Sequence, residues 1–141
     1  LVKGVTEAIA NSCAVKVFIC NLMTQPGETD GYSSRKHLEK IREYAPAIDF
    51  DYVIVNNRPI SEKQAQKYSQ EGAEQIGVRG SISPETIEGA EIIYGNLLDD
   101  GEKVRHNSEK LAQVVLLCSM KPSLSKSLTY DTIQWQTQHV N

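Results

Sequence analysis

Residues 14–22 read AVKVFICNL, a short and almost continuous apolar run that carries a single charge. A run of this length, rich in β-branched and aromatic residues, predicts a strand buried on both faces of a sheet. The sequence continues as MTQPGETDGY over residues 23–32, called the 23–32 loop below. Pro26 and Gly27 suit the two central positions of a type II turn, because glycine readily adopts a positive φ. The strand is therefore predicted to end in a turn-rich loop.

Strands and helices alternate along the rest of the chain. Ser33 or Ser34 can cap a helix that runs to Ala45, because Pro46 follows. The other predicted helices cover residues 5–12, residues 61–71 with a capping box at the start, a short stretch from Ser83, and a final stretch from Asn107 or Ser108. The other predicted strands cover residues 51–56, 91–94 and, weakly, 75–78. This alternation predicts an α/β fold with a mainly parallel sheet.

The chain has 141 residues, which is enough for one modest domain, and a net charge of −3. The sequence shows no basic stripe, so a nucleic-acid partner is not expected. No apolar run reaches the length of a membrane span. Cys13, Cys20 and Cys118 are scattered, which indicates buried reduced thiols and no metal site. Residues 119–141 are polar and are predicted to form a poorly ordered tail.

Two strand exits could carry chemistry, at residues 21–34 and 56–58. In a parallel sheet both exits lie at the same edge, where ligands commonly bind. The 23–32 loop leads into a helix N-terminus, which favours anions. Its candidate ligand groups are Thr24, Gln25, Gly27, Glu28, Thr29 and Asp30, followed by Ser33 as a candidate phosphate contact. The two carboxylates would repel a phosphate unless they point away, hold a cation or bind sugar hydroxyls, and a capped turn without a ligand is the alternative.

Further candidates follow other strands. Asn56 and Asn57 could bind a base or a sugar, or could satisfy their own backbone. Arg58 could contact a phosphate, or could be a solvated surface residue. Arg105 and His106 precede the last helix, where Arg105 could contact a phosphate and His106 could act as an acid, a base or a phosphate contact, or have a structural role. His37 is expected on a helix surface, and no nucleophile elbow, P-loop or dinucleotide-binding motif is present.

The run VFICNLMTQPGETDGY over residues 17–32 resembles the bacterial gluconeogenesis factor (YvcK-like) family. DYVIVNN over residues 51–57 and RHNSEKLA over residues 105–112 are similar to later family segments, although Asn107-Ser108 replaces the usual Asp-Pro. The resemblance covers residues 1–118 and extends to the related 2-phospho-L-lactate transferase (CofD-like) proteins. It implies a Rossmann-like three-layer fold, incomplete at the N-terminus because the family's glycine-rich nucleotide loop lies in a preceding part of the full-length protein.

The resemblance also implies a function. It indicates a cytoplasmic regulatory protein that binds a UDP-sugar and influences cell shape and carbon use, with ligand contacts from Thr24, Gln25, Glu28, Thr29 and Asp30 and secondarily Asn56 and Asn57. One alternative is a transferase of the phospholactate type, which would need a divalent cation near Glu28 and Asp30. Another is a truncated fragment without function. Catalysis and homo-oligomerisation are left open.

Overall fold

The computed structural model describes residues 4–77 and 86–120. Along these residues the elements are α1 (Val5–Ala10), β1 (Val17–Ile19), α2 (Ser34–Tyr44), β2 (Tyr52–Asn56), α3 (Glu62–Gln70), β3 (Thr86–Ile87), β4 (Ala90–Gly95) and α4 (Ser108–Met120). The sheet order is β1-β2-β4-β3. The first three of these strands are parallel, and β3 pairs with β4 in the antiparallel sense. The predicted α/β class with a mainly parallel sheet is confirmed.

Side chains alternate along each strand, so the strands present apolar residues on both faces of the sheet. Helices pack against both faces and bury these residues. Val53 and Val55 of β2 join one apolar cluster together with Leu38 of α2. Tyr52 and Ile54 join a second cluster on the opposite face, together with residues of α4. All five residues of β2 are buried, as expected for a central parallel strand. The result is a three-layer arrangement with β2 at its centre.

The helix caps predicted before α2, α3 and α4 are confirmed, while the cap predicted at Ser83 lies outside the described residues. The Ser33 hydroxyl accepts a hydrogen bond from the backbone N–H of Lys36, at 3.2 Å. Ser61 and Gln64 form a complete capping box at the start of α3. The Asn107 side chain accepts from the backbone N–H of Lys110 at 2.9 Å and so caps α4. Each cap satisfies a backbone donor that a helix end leaves without an internal partner.

Three predicted elements are wrong in extent or type. β1 is only three residues long and lies at the edge of the sheet formed by the described residues, and its side chains are partly buried rather than enclosed. The segment at residues 75–77 forms only an isolated bridge between Gln75 and Met23, not a strand. Where the short helix predicted from Ser83 would reach Thr86–Ile87, the structure has the strand β3 instead. Residues 78–85 and 121–141 lie outside the described residues, and α4 includes residues 119 and 120 of the predicted tail.

Two side-chain predictions are also wrong. His37 is buried with 8% exposure, and its Nδ1 lies 3.0 Å from the Ser33 carbonyl oxygen. Cys13 is exposed, whereas Cys20 and Cys118 are buried as predicted. Burial raises the pKa of the Cys20 thiol. Within the described ranges, none of the helices has the length and apolar character needed to cross a lipid bilayer.

Candidate functional site

The 23–32 loop is held by its own side chains. The Glu28 N–H donates to the Gln25 carbonyl at 3.0 Å, and Gly27 has a φ of 82°, as the predicted type II turn requires. The Thr29 hydroxyl accepts from the Gln25 N–H at 2.8 Å. The Asp30 carboxylate accepts from the Gly27 N–H at 2.9 Å. Thr29 and Asp30 therefore shape the loop, while Gln25 and Glu28 remain exposed.

Thr24 joins this loop to the segment after α3. Its N–H donates to the Glu74 carbonyl at 2.8 Å, and its hydroxyl accepts from the Glu74 N–H, also at 2.8 Å. The side chain is buried, with 4% exposure. Because the hydroxyl acts as an acceptor in this pairing, its own hydrogen remains available to a ligand.

The Asn56 side chain forms hydrogen bonds to backbone groups of Arg58 and Leu97. Its Nδ2 donates to the Arg58 carbonyl at 2.7 Å, and its Oδ1 accepts from the N–H groups of Arg58 and Leu97, at 3.3 and 3.1 Å. This is the structural alternative considered for Asn56. Asn57 is exposed. Arg58 forms an ion pair with Asp100 at 2.7 Å, which holds the pKa of that carboxyl below its usual range.

Two cavities adjoin the loop. The first, called the Arg105 cavity, has a volume of about 530 Å³ and is lined by Thr24, Gln25, Tyr68, Glu71, Arg105 and His106, among others. The second, called the Tyr94 cavity, has a volume of about 740 Å³ and is lined by Thr24, Tyr32, Ser33, Gln75 and Tyr94, among others. Thr24 lines both cavities. The predicted residues Gly27, Glu28, Thr29, Asp30, Asn56, Asn57 and Arg58 line neither cavity.

The wall of the Arg105 cavity carries an arginine that forms no ion pair within the described residues. The guanidinium groups of Arg35, Arg42 and Arg58 all form ion pairs with carboxylates. Arg105 is exposed and forms no such pair with any residue that the structure describes. An unpaired guanidinium at a cavity wall can bind an anionic group through two parallel hydrogen bonds.

His106 lies beside this arginine in a partly buried position. Burial lowers the pKa of its imidazole, so the ring is neutral at pH 7. Its Nε2 is buried and has no hydrogen-bond partner in the described part of the chain. Protonation of both ring nitrogens would therefore create a partly buried cation whose Nε2–H has no acceptor among the described residues.

The lowered pKa of His106 predicts that the free energy of unfolding decreases as the pH falls from about 7.5 to 5.5. The unfolded histidine, with a pKa near 6.5, then binds protons that the folded one does not, and this stabilises the unfolded state. Urea titrations at several pH values should show a smaller pH dependence for His106→Gln than for the wild type. Equal slopes for the two proteins would contradict this account of His106.

Sequence reasoning missed Tyr68. Its hydroxyl accepts from the Val104 N–H at 3.2 Å, and the residue lines the Arg105 cavity. A tyrosine on the mostly polar helix α3 was the available signal, but its partner lies 36 residues away in the chain.

Among the residues with described positions, no group of three or more His, Cys, Asp and Glu residues is arranged to hold a metal ion.

Several known proteins are similar to this chain in fold and in sequence. A crystal structure of a UPF0052 family protein from Bacillus halodurans superposes with a TM-score of 0.75 at 37% identity, and the match covers 82% of this chain and 37% of that one. A Thermotoga maritima protein is 41% identical over 118 residues, which are 82% of this chain and 37% of the relative. The Halalkalibacterium halodurans protein named gluconeogenesis factor is 38% identical over 137 residues, or 91% of this chain and 39% of the relative.

The chain thus spans little more than a third of the length of the relatives that it matches. A sequence model of one family, described as 2-phospho-L-lactate transferase CofD, matches residues 1–98. That match extends over more than half of the 141 residues. The chain therefore belongs to the CofD family, within which its relatives include proteins named gluconeogenesis factors.

Proposed function

We propose that this chain forms part of a nucleotide-sugar site in a cytoplasmic regulatory protein of carbon metabolism and cell shape. The site is the Arg105 cavity, and the ligand is a UDP-sugar. The observation that carries the proposal is the unpaired guanidinium of Arg105 in a cavity that is also lined by Thr24 and Gln25 of the 23–32 loop.

The groups around this cavity suit the parts of such a ligand. The Arg105 guanidinium matches the geometry and charge of a diphosphate. Gln25 and the free hydroxyl hydrogen of Thr24 can bind sugar or phosphate oxygens. The Tyr68 ring offers an apolar surface against which a base or sugar can pack. A volume of about 530 Å³ falls within the range typical of small-molecule sites.

The relatives support the metabolic part of the proposal. Proteins from Halalkalibacterium halodurans and Bacillus subtilis carry the name gluconeogenesis factor. Because this chain spans only 39% and 36% of their lengths, the activity of the whole protein is inferred rather than carried over. The expected remainder of the ligand site is the glycine-rich nucleotide loop that the family resemblance implies.

Replacing Arg105 with alanine is expected to weaken UDP-glucose binding roughly ten- to a hundredfold, because a charge-assisted hydrogen bond contributes about 1.5–3 kcal/mol. Isothermal titration calorimetry measures this change. Lys103→Ala is the matched control, since Lys103 is an exposed cation of the same loop that lines neither cavity. Equal affinities for the Arg105→Ala and Lys103→Ala variants would remove the basis for placing the ligand here.

A transferase reaction is the second candidate, favoured by the description of the matching family. Such a reaction would use a divalent cation, and the 23–32 loop offers the Glu28 and Asp30 carboxylates for it. Glu28 is exposed and accessible, whereas one Asp30 oxygen already accepts from the Gly27 N–H. Phosphorus NMR of UDP-glucose with the protein and Mg²⁺ distinguishes the candidates. New phosphorus resonances would favour transfer, and binding without them would favour regulation.

The remaining alternative is that 141 residues alone do not form a functional unit. A proton–nitrogen NMR spectrum with and without UDP-glucose addresses it. Dispersed resonances with shifts confined to the Arg105 cavity indicate a folded partial site, and collapsed resonances indicate a fragment that needs the remainder of the protein.

A further inference from the structure

We infer that Gln64 is a positioning residue for the nucleotide-sugar site, acting through the loop that carries Arg105 and His106. The inference rests on the function proposed above for the Arg105 cavity. Gln64 itself does not line that cavity. Its two ends instead connect the start of α3 to the loop formed by residues 98–106.

The two ends of the Gln64 amide have different partners. Its Oε1 accepts from the Ser61 N–H at 3.0 Å and completes the capping box of α3. Its Nε2 donates to the Gly101 carbonyl at 3.0 Å, and also lies 3.5 Å from the Glu102 carbonyl oxygen. One side chain thus fixes a helix end and a distant loop simultaneously.

Other contacts reinforce this attachment of the loop. The Arg58–Asp100 ion pair lies at one side of it, and the Tyr68 hydroxyl accepts from the Val104 N–H at the other. The loop closes on itself, since the Asp99 N–H donates to the Arg105 carbonyl at 2.9 Å. A shift of residues 99–104 away from α3 would therefore move the backbone of Arg105.

Polar contacts matter here because α3 has no buried residue. The hydrophobic effect contributes little to holding this helix against the loop, so directional hydrogen bonds determine their relative position. The loop presents carbonyl oxygens and the acidic side chains of Asp99, Asp100 and Glu102. A neutral donor such as the glutamine amide suits this environment, whereas a carboxylate would be repelled.

Gln64→Glu separates the two roles of the residue. Glutamate can still accept from the Ser61 N–H, and a negative charge in the first turn of a helix is favourable. It cannot donate to the Gly101 carbonyl. We expect about tenfold weaker UDP-glucose binding by calorimetry, with little change in the free energy of unfolding. We also expect faster hydrogen exchange at the Asp99 amide, which reports closure of the loop.

Gln66→Glu is the matched control, because Gln66 is exposed on the same helix and the charge change is identical. This control should leave both the affinity and the Asp99 exchange rate unchanged. Unchanged Asp99 exchange in Gln64→Glu would overturn the inference, and so would faster exchange with unchanged affinity. If the wild type binds no UDP-glucose, the proposed function fails, and the Asp99 exchange comparison alone then decides whether Gln64 holds the loop.

Discussion

Replacing Asn56 with alanine is expected to lower the free energy of unfolding by about 2–4 kcal/mol, because buried backbone groups would lose their partners. The side chain has 2% exposure and satisfies the carbonyl and N–H of Arg58 and the N–H of Leu97. The Leu97 bond is fully buried and links the exit of β2 to the exit of β4. Alanine removes all three bonds.

Urea denaturation of Asn56→Ala and Asn57→Ala tests this expectation. Asn57 is exposed, and its backbone N–H, which alanine keeps, donates to the Gly95 carbonyl at 2.9 Å. Asn57→Ala should therefore change stability by less than about 0.5 kcal/mol. If the two variants were equally stable and Asn56→Ala lost only ligand affinity, Asn56 would be a ligand contact and not a structural residue.

Replacing Gly77 with alanine is expected to destabilise the fold by about 3 kcal/mol or more, through backbone strain and steric overlap together. Gly77 has a φ of 93°, which residues with a side chain rarely adopt. A Cβ there would lie 2.7 Å from Val55 Cγ1 and 2.8 Å from the Asn56 carbonyl oxygen. Both neighbours belong to the central strand β2, so neither can move without disturbing the sheet.

The Gly27→Ala variant measures the cost of backbone strain alone, without steric overlap of the added methyl group. Gly27 has a similar φ of 82°, but a Cβ at that position meets nothing within 4 Å. Its expected cost is about 1–2 kcal/mol, the usual penalty for a left-handed backbone. Thermal or urea unfolding of both variants measures the difference. A smaller loss for Gly77→Ala than for Gly27→Ala would show that β2 tolerates the added methyl group.

Local signals were sufficient for much of the fold. The caps at Ser33, Ser61 and Asn107 could be predicted because each depends on residues only three positions apart. β2 could be predicted from its unbroken apolar run. The hairpin between β3 and β4 could not, because its turn has Glu88 at a φ of 51° and carries no Asn-Gly or Asp-Gly signal.

The candidate site was harder to predict from the sequence than the fold, because several of its side chains bind partners that are distant in the chain. Thr24, Gln25, Arg105 and His106 were predicted, and the structure places them around one cavity. Arg58 was also a candidate, but its partner Asp100 lies 42 residues away, and no local pattern indicates that its charge is already paired. Gln64 was recognised only as a cap residue, because its second partner belongs to a loop 37 residues further along the chain.

The parallel pairing of β2 with both β1 and β4 also has a consequence for folding kinetics. Each of these pairings joins residues roughly 35 to 40 positions apart, so a long loop must close before any sheet hydrogen bond compensates the lost chain entropy. The antiparallel pairing of β3 with β4 is local but only two residues long. High contact order of this kind is associated with slow folding. Because both β1 and β4 pair with β2, the parallel part of the sheet forms only when both distant strands have paired with β2.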